Sequence, residues 1–168
     1  TDMYATLREF KGIPLDEFSA AGGYANLYVI GPEGYVVFMT QEGPELGQKL
    51  TEGRLTQAWK QSIESEIPVF LDTAPYKALG GAPAIFIAVR LVQYEKVRGA
   101  VVVRLDLQQI NSIMHDRTGL GELGESYLVS SDKTMRSDSL LDPEGRTVSA
   151  SLRAGESGKI DTPQVQAS

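Results

Sequence analysis

The sequence predicts an α+β fold, an antiparallel five-stranded sheet with helices in its long connection and at its flanks. Three observations predict it. Two β-branched and aromatic runs, YANLYVI (24–30) and YVVFMT (35–40), flank the turn GPEG (31–34). Two longer apolar runs follow, AIFIAVRLVQY (84–94) and VRGAVVVRLDL (97–107), with a turn expected at Glu95–Lys96. Between these pairs, Leu55, Ala58, Trp59 and Ile63 recur at the spacing of an amphipathic helix.

The elements read in order as follows. Residues 2–11 place Met3, Leu7 and Phe10 on one helical face, with Asp2 as the cap. Pro14 restricts the residue before it and ends that helix. A short helical turn over Leu15–Ala20 is closed by Gly22 and Gly23. In GPEG, Pro32 presets its own backbone angle and Gly34 is free to take a positive one. Residues 41–54 read as loop, and the helix after them runs to about Glu66, where Pro68 stops it. The strand VFLD (69–72) leads into a glycine-bearing loop, APYKALGGAP. The runs 84–94 and 97–107 form the central pair and are apolar enough to be covered on both faces. Helical spacing returns in QQINSIM (108–114) through Ile110, Ile113 and Met114, and the tail 140–168 offers little core.

Composition excludes several function classes. With 168 residues, 23% charged and 42% hydrophobic, the chain is an ordinary globular mixture with room for one good core. Its net charge of −6 argues against a nucleic-acid partner, which wants a basic face. No apolar run is long enough to span a bilayer. The first residue is not Met and no signal pattern opens the chain, as expected of a piece of a longer protein. Cysteine is absent, which removes disulfides, thiolate nucleophiles and cysteine–zinc sites together. His115 is the only histidine, so no histidine metal cluster can be assembled.

Enzyme readings fare badly. Glu42/Glu45 and Glu122/Glu125 lie in glycine-rich connections, unlike a fixed acid/base pair. Ser137–Asp138–Ser139 has no histidine to work with except His115. GLGELG (119–124) imitates a phosphate loop but precedes a strand, not a helix. No catalytic activity, cofactor or metal is expected.

One phrase echoes another. SYLVSSDKTMR (126–136) sets Tyr127, Leu128, Val129 and Asp132 where LYVIGPEGYVV (27–37) has Tyr28, Val29, Ile30 and Glu33. The stretches LYVIGPEGYVVFMT, GQKL (47–50), VFLDTAPYKALGGAPAIFIAV (69–89), RGAVVVRLDLQQINSIM (98–114) and GLGELGESYLVSSDKTMRSDS (119–139) together resemble the Cache family. These are PAS-like extracytoplasmic sensor domains of methyl-accepting chemotaxis receptors, histidine kinases and cyclic-dinucleotide enzymes. The resemblance implies an N-terminal helix and PAS-like module over 1–118, with 119–168 opening a second, membrane-proximal module that stays incomplete. It also implies a periplasmic part of an inner-membrane chemoreceptor, anchored only through flanking spans absent from this chain. Such a part binds a small metabolite of the amino-acid or organic-acid class and works as a homodimer.

In a Cache module the ligand sits between the sheet and the long connection. Projected onto this chain, that cavity involves Trp59 on the helix, Asp72 at a strand end, Tyr76 in the loop, and alternate residues of the central strands; Trp59 reads first as core on its helix, with pocket wall as the alternative. Of the two sets in 84–91, Ile85, Ile87, Val89 and Leu91 read as packing core. The set Ala84, Phe86, Ala88 and Arg90 reads as the better lining for a small polar guest. Arg104 shares its face with Ala100, Val102 and Asp106. Arg90 or Arg104 either holds a ligand carboxylate in a bidentate fork or forms an internal pair with Asp72 or Asp106, or lies where a strand end opens to solvent. Thr40 and Tyr28 are weaker candidates. The pattern of the amino-acid-sensing subgroup does not lie cleanly on this sequence. The competing reading is an interaction or structural module whose pocket is filled by its own side chains.

Overall fold

The computed structural model describes residues 12–121 and 124–166. The helix expected over 2–11 lies outside the described residues. The chain divides into two compact units, one ending at Asp106 and one beginning at Leu107.

The first unit contains α1 (Ile13–Ala21), β1 (Asn26–Ile30), β2 (Val36–Met39), α2 (Arg54–Glu64), β3 (Val69–Pro75), β4 (Pro83–Gln93) and β5 (Lys96–Arg104). Its sheet has the order β2-β1-β5-β4-β3, antiparallel throughout. This is the five-stranded sheet with flanking helices that the sequence predicts. Helix α1 begins two residues earlier than expected, because Pro14 sits in its first turn, where no amide hydrogen is missed. Gly34 takes φ 87 and its amide closes the β1–β2 turn onto the Gly31 carbonyl at 3.0 Å. The β4–β5 turn lies one residue earlier than predicted. Tyr94 (φ 50) and Glu95 (φ 60) form its corner between the paired Gln93 and Lys96, the left-handed geometry that suits a two-residue hairpin.

The long connection covers the face of Ala84, Phe86 and Ala88, as the sequence reading placed it, and side chains fill that space as core. Helix α2 lies on the face of Ala84, Phe86, Ala88, Ala100 and Val102, and Leu55, Ala58 and Trp59 complete that core. The small residues are the reason: three alanines on neighbouring strands leave depth for a helix bearing a tryptophan. The aliphatic set read as core lies on the other face, where Leu27, Phe38 and Val103 are buried with Leu15 and Tyr24 against them. That face is covered only in part among the described residues. Val89 is 38% exposed and Phe70 59%.

The second unit holds α3 (Leu107–Met114), α4 (Val148–Ala154) and the short α5 (Pro163–Gln166). Residues 126–136 form a tight hairpin, but a single bridge, Val129 to Met135, replaces a ladder. Its turn uses Lys133 at φ 66 and is closed by the Lys133 amide on the Ser130 carbonyl at 2.9 Å. Apolar burial is small, with Met135 and Val148 at the centre beside buried Ser137, Ser139 and Ser151. Polar bonds do much of the rest. Thr147 caps α4 by accepting the Ala150 amide at 3.0 Å, and Asp138 accepts from Asn111 at 2.8 Å and from the Val148 amide at 2.7 Å.

Candidate ligand-binding site

The connection between β2 and α2 turns back along the β1–β2 hairpin. Gln48 accepts from the Val36 amide at 3.0 Å, and the Leu50 amide donates to the Gly34 carbonyl at 2.8 Å. On the other side, the β3–β4 loop is folded onto Tyr76. The Tyr76 amide donates to Ala82 at 2.9 Å, and its carbonyl accepts from Leu79 and Gly81, both at 3.0 Å. Gly80 (φ 64) and Gly81 (φ 88) make that closure accessible, which accounts for the paired glycines of ALGGAP. Between the two connections lies a cleft of about 700 Å³, with Pro44, Glu45, Lys49, Leu50, Arg54 and Tyr76 in its wall.

Arg54 is the first residue of α2, directly after Gly53 at φ 93. A cation at a helix N-terminus opposes the helix dipole, so α2 gains nothing from it there. One Nη donates to the backbone carbonyl of Asp72, the other reaches Gln57 at 3.5 Å, and the buried Nε has no partner. Burial lowers the Arg54 pKa from its usual value, and the Asp72 charge works against that shift. The group nonetheless stays a cation in water.

Below the cleft runs a polar chain. The Tyr76 hydroxyl donates to Glu45 Oε1 at 2.5 Å. Tyr28 lies beside Tyr76 and the Arg104 guanidinium, and both work against the rise in its pKa that burial causes. A carboxylate only accepts, so Tyr76 is the donor to Glu45. Burial pushes both phenols up in pKa, Tyr76 the more, since the neighbouring Tyr28 and Glu45 push in the same direction. Both stay neutral hydrogen-bond relays at ordinary pH.

The structure separates the residues singled out in the sequence. Tyr76 is 5% exposed and its edge enters the cleft wall. Trp59 is a core residue, packed so closely on Gly34 that a Cβ there would come within 2.9 Å of the indole ring. Phe86 is fully buried, its ring centroid 5.0 Å from that of Tyr76. Asp72 is exposed, with Oδ1 on the Thr73 amide at 2.6 Å, and contributes its backbone carbonyl to Arg54. Arg90 pairs with Glu66 at 2.9 Å, at the surface rather than with Asp72 or Asp106. Arg104 lies beside Tyr28, reaches the Ala25 carbonyl at 3.4 Å, and is not in the wall of this cleft. Thr40 bonds Asn26 at 3.0 Å and holds β1 to β2. The cleft residues that sequence reasoning missed are Glu45, Lys49 and Arg54. Only Arg54 carried a signal, as a basic residue on the wrong end of a helix.

Because Glu66 is 85% exposed, its ion pair with Arg90 is screened by water. Arg90→Gln is therefore expected to change the unfolding free energy by less than about 1 kcal/mol. Urea denaturation measures it, and a larger loss would give Arg90 a structural role it does not have here.

Two further clefts, of about 400 and 700 Å³, lie in the second unit. Their surroundings are self-satisfied. The buried side-chain polar atoms without a partner, Arg54 Nε, Trp59 Nε1, Thr73 Oγ1 and Arg104 Nε, all belong to the first unit among the described residues. Glu125 shows the contrast. Burial raises its pKa, but hydrogen bonds from the Leu141 amide, Ser139 and the Leu140 amide outweigh that and hold it below the usual carboxylate value. Its neighbour in the sequence reading, Glu122, lies outside the described residues. His115 is bonded to the Asp138 carbonyl at 3.0 Å, not to Ser137 or Ser139.

The five-stranded antiparallel sheet with its long connection packed on one face is a fold shared with solved ligand-binding and sensor domains. The chain is similar to the ligand-binding domain of the Pseudomonas fluorescens chemoreceptor CtaA in complex with L-serine (TM-score 0.53, 19% identity, 72% of this chain and 50% of that one). It is similar to the ligand-binding domain of the Pseudomonas aeruginosa amino acid chemoreceptor PctC in complex with GABA (0.54, 14%, 83% and 58%). A third likeness is to the sensor domain of the Vibrio cholerae histidine kinase DctB (0.56, 13%, 79% and 48%). The chain spans about half the length of these solved domains. No protein-family model and no curated protein matches the chain. Among the described residues no helix is long and apolar enough to cross a membrane.

Proposed function

We propose that this chain is the ligand-binding part of a periplasmic sensor in a transmembrane chemoreceptor, and that a small carboxylate-bearing metabolite occupies the cleft beside Arg54 and Tyr76. The observation that carries this reading is the Arg54 guanidinium, brought to an apolar cleft with a buried Nε that nothing in the first unit satisfies. A guanidinium is the group best matched to a carboxylate fork. The ligands in the similar structures, L-serine and GABA, are also carboxylates.

Signalling follows from population shift. The two connections that form the cleft can open and close, and a ligand that binds the closed arrangement more tightly biases the receptor by that difference alone. In the full receptor the chain works as a homodimer, with a PAS-like module over 1–118 and the opening of a second over 119–168. The hairpin at 126–136 supports that second module, since it repeats the wording of the first. The side chains of Trp59 and Phe86, which fill the space under α2, favour the rival reading of an interaction module without a ligand.

A thermal-shift screen of organic acids, amino acids and amines against this chain separates the two. At a ligand concentration of about 100 Kd, binding adds about 2.7 kcal/mol of stability, which moves the melting point by several degrees. A shift with at least one carboxylate is expected. No shift with any compound would overturn the sensor reading and leave the interaction module.

A further inference from the structure

The wall of the cleft comes from two stretches of chain alone, residues 44–55 and residues 75–78. Its width is therefore the gap between two connections, and whatever ties one to the other sets it. Among the described residues two side-chain bonds cross that gap. Lys77 meets Glu52 at 3.9 Å with both side chains almost fully in water, where such a pair holds little. The Tyr76 hydroxyl donates to Glu45 Oε1 at 2.5 Å, from a side chain that is 5% exposed. A hydrogen bond to a carboxylate from a buried donor is the stronger kind. Resting on the sensor reading, we propose that the Tyr76–Glu45 bond is the latch of the cleft: Tyr76 is the fixed post, residues 44–53 are the moving side, and breaking the bond opens the cleft to a guest.

The two sides are held in different ways. Tyr76 is anchored without its hydroxyl. Its ring meets the fully buried Phe86 edge-on, with centroids 5.0 Å apart. Its amide donates to the Ala82 carbonyl, and its own carbonyl accepts from Leu79 and Gly81. Across the gap, residues 47–49 and 51–53 are exposed, and Leu46 and Leu50 are only partly buried against the core. The Gly47 amide on the Val36 carbonyl and the Leu50 amide on the Gly34 carbonyl, both at 2.8 Å, tie this stretch to the β1–β2 hairpin. Gly53 ends it at φ 93, and a Cβ built there would meet nothing within 4 Å, so the chain can turn at that point without a clash. Arg54 stands on the helix side of this hinge and keeps its bond to the Asp72 carbonyl. Opening then bares the guanidinium without moving it.

Hydrogen–deuterium exchange of the whole chain, with no ligand present, tests the latch. Tyr76→Phe removes the hydroxyl and leaves the ring. It is expected to speed exchange of the Gly47 and Leu50 amides by about tenfold or more, the factor for losing one hydrogen bond to a charged group. The Gly81 amide, on the side of the post, and the Ala25 amide, which donates to Arg104 within the sheet, should change far less. Glu45→Gln keeps a neutral acceptor and should give a smaller rise. Adding it to Tyr76→Phe should change nothing more, because both act through one bond. Lys77→Ala should leave all four amides as they are. Unchanged Gly47 and Leu50 amides in Tyr76→Phe would overturn the latch. So would an equal rise at Ala25, which would mean loss of overall stability instead of local opening, or an equal effect of Lys77→Ala. Since no guest enters the measurement, each of these failures leaves the sensor reading to the ligand screen, and silence in that screen leaves the latch.

Discussion

Phe86→Ala is expected to lower the free energy of unfolding by about 3–5 kcal/mol, the range for truncating a buried aromatic side chain. The ring is completely buried and lies on β4 between Leu71 of β3 and Arg104 of β5. It meets the Tyr76 ring edge-on at 81° and the Tyr28 ring at 6.4 Å. Truncation removes the transfer energy of the ring and also leaves a void beneath both phenols. Ala84 and Ala88 flank the position on the same face of β4 and have too little side chain to fill it. Phe86→Leu keeps most of the volume and should cost about 1.5 kcal/mol or less. Urea denaturation gives both numbers, provided that the m-value is unchanged. A loss below about 1 kcal/mol for the alanine variant, together with a lost ligand response, would return Phe86 to the wall of the site.

The sheet was legible because each strand advertised itself locally. Period-two alternation, the GPEG corner and the stop at Pro68 act over a few residues, and all of them appear in the fold. The face that α2 covers was legible, but not that side chains would fill the space beneath it. Alanine, phenylalanine and arginine on one face suggest a pocket, whereas four aliphatics suggest a core, yet depth decides the matter: a helix carrying Trp59 settles where the sheet is shallow in side chains. The site was hidden for another reason. Glu45 meets Tyr76 across 31 residues of sequence and Arg54 meets Asp72 across 18. No local pattern encodes how two loops are registered against each other. Tyr76 could be chosen from the sequence because its loop carries its own glycines, but its partner could not.

Arg104 is the second residue whose loss is expected to have a large effect. Arg104→Ala is expected to cost about 2 kcal/mol, the scale for losing a half-buried charged donor that sits beside Tyr28 and reaches the Ala25 carbonyl. The guanidinium lies beside Tyr28, and Tyr28 beside Tyr76 and Glu45. Without it these groups lose the positive charge next to them. This requires Arg104 and Glu45 to be coupled although two tyrosines stand between them. A double-mutant cycle measures that coupling directly. Glu45→Gln keeps an acceptor for Tyr76 and removes the charge, so adding it to Arg104→Ala should cost less than the sum of the single changes, by about 1 kcal/mol. Strict additivity would mean that the two charges do not sense each other, and that Arg104 merely fills the end of β5. Coupling would show that a residue outside the cleft wall still senses the charge that Glu45 places in it.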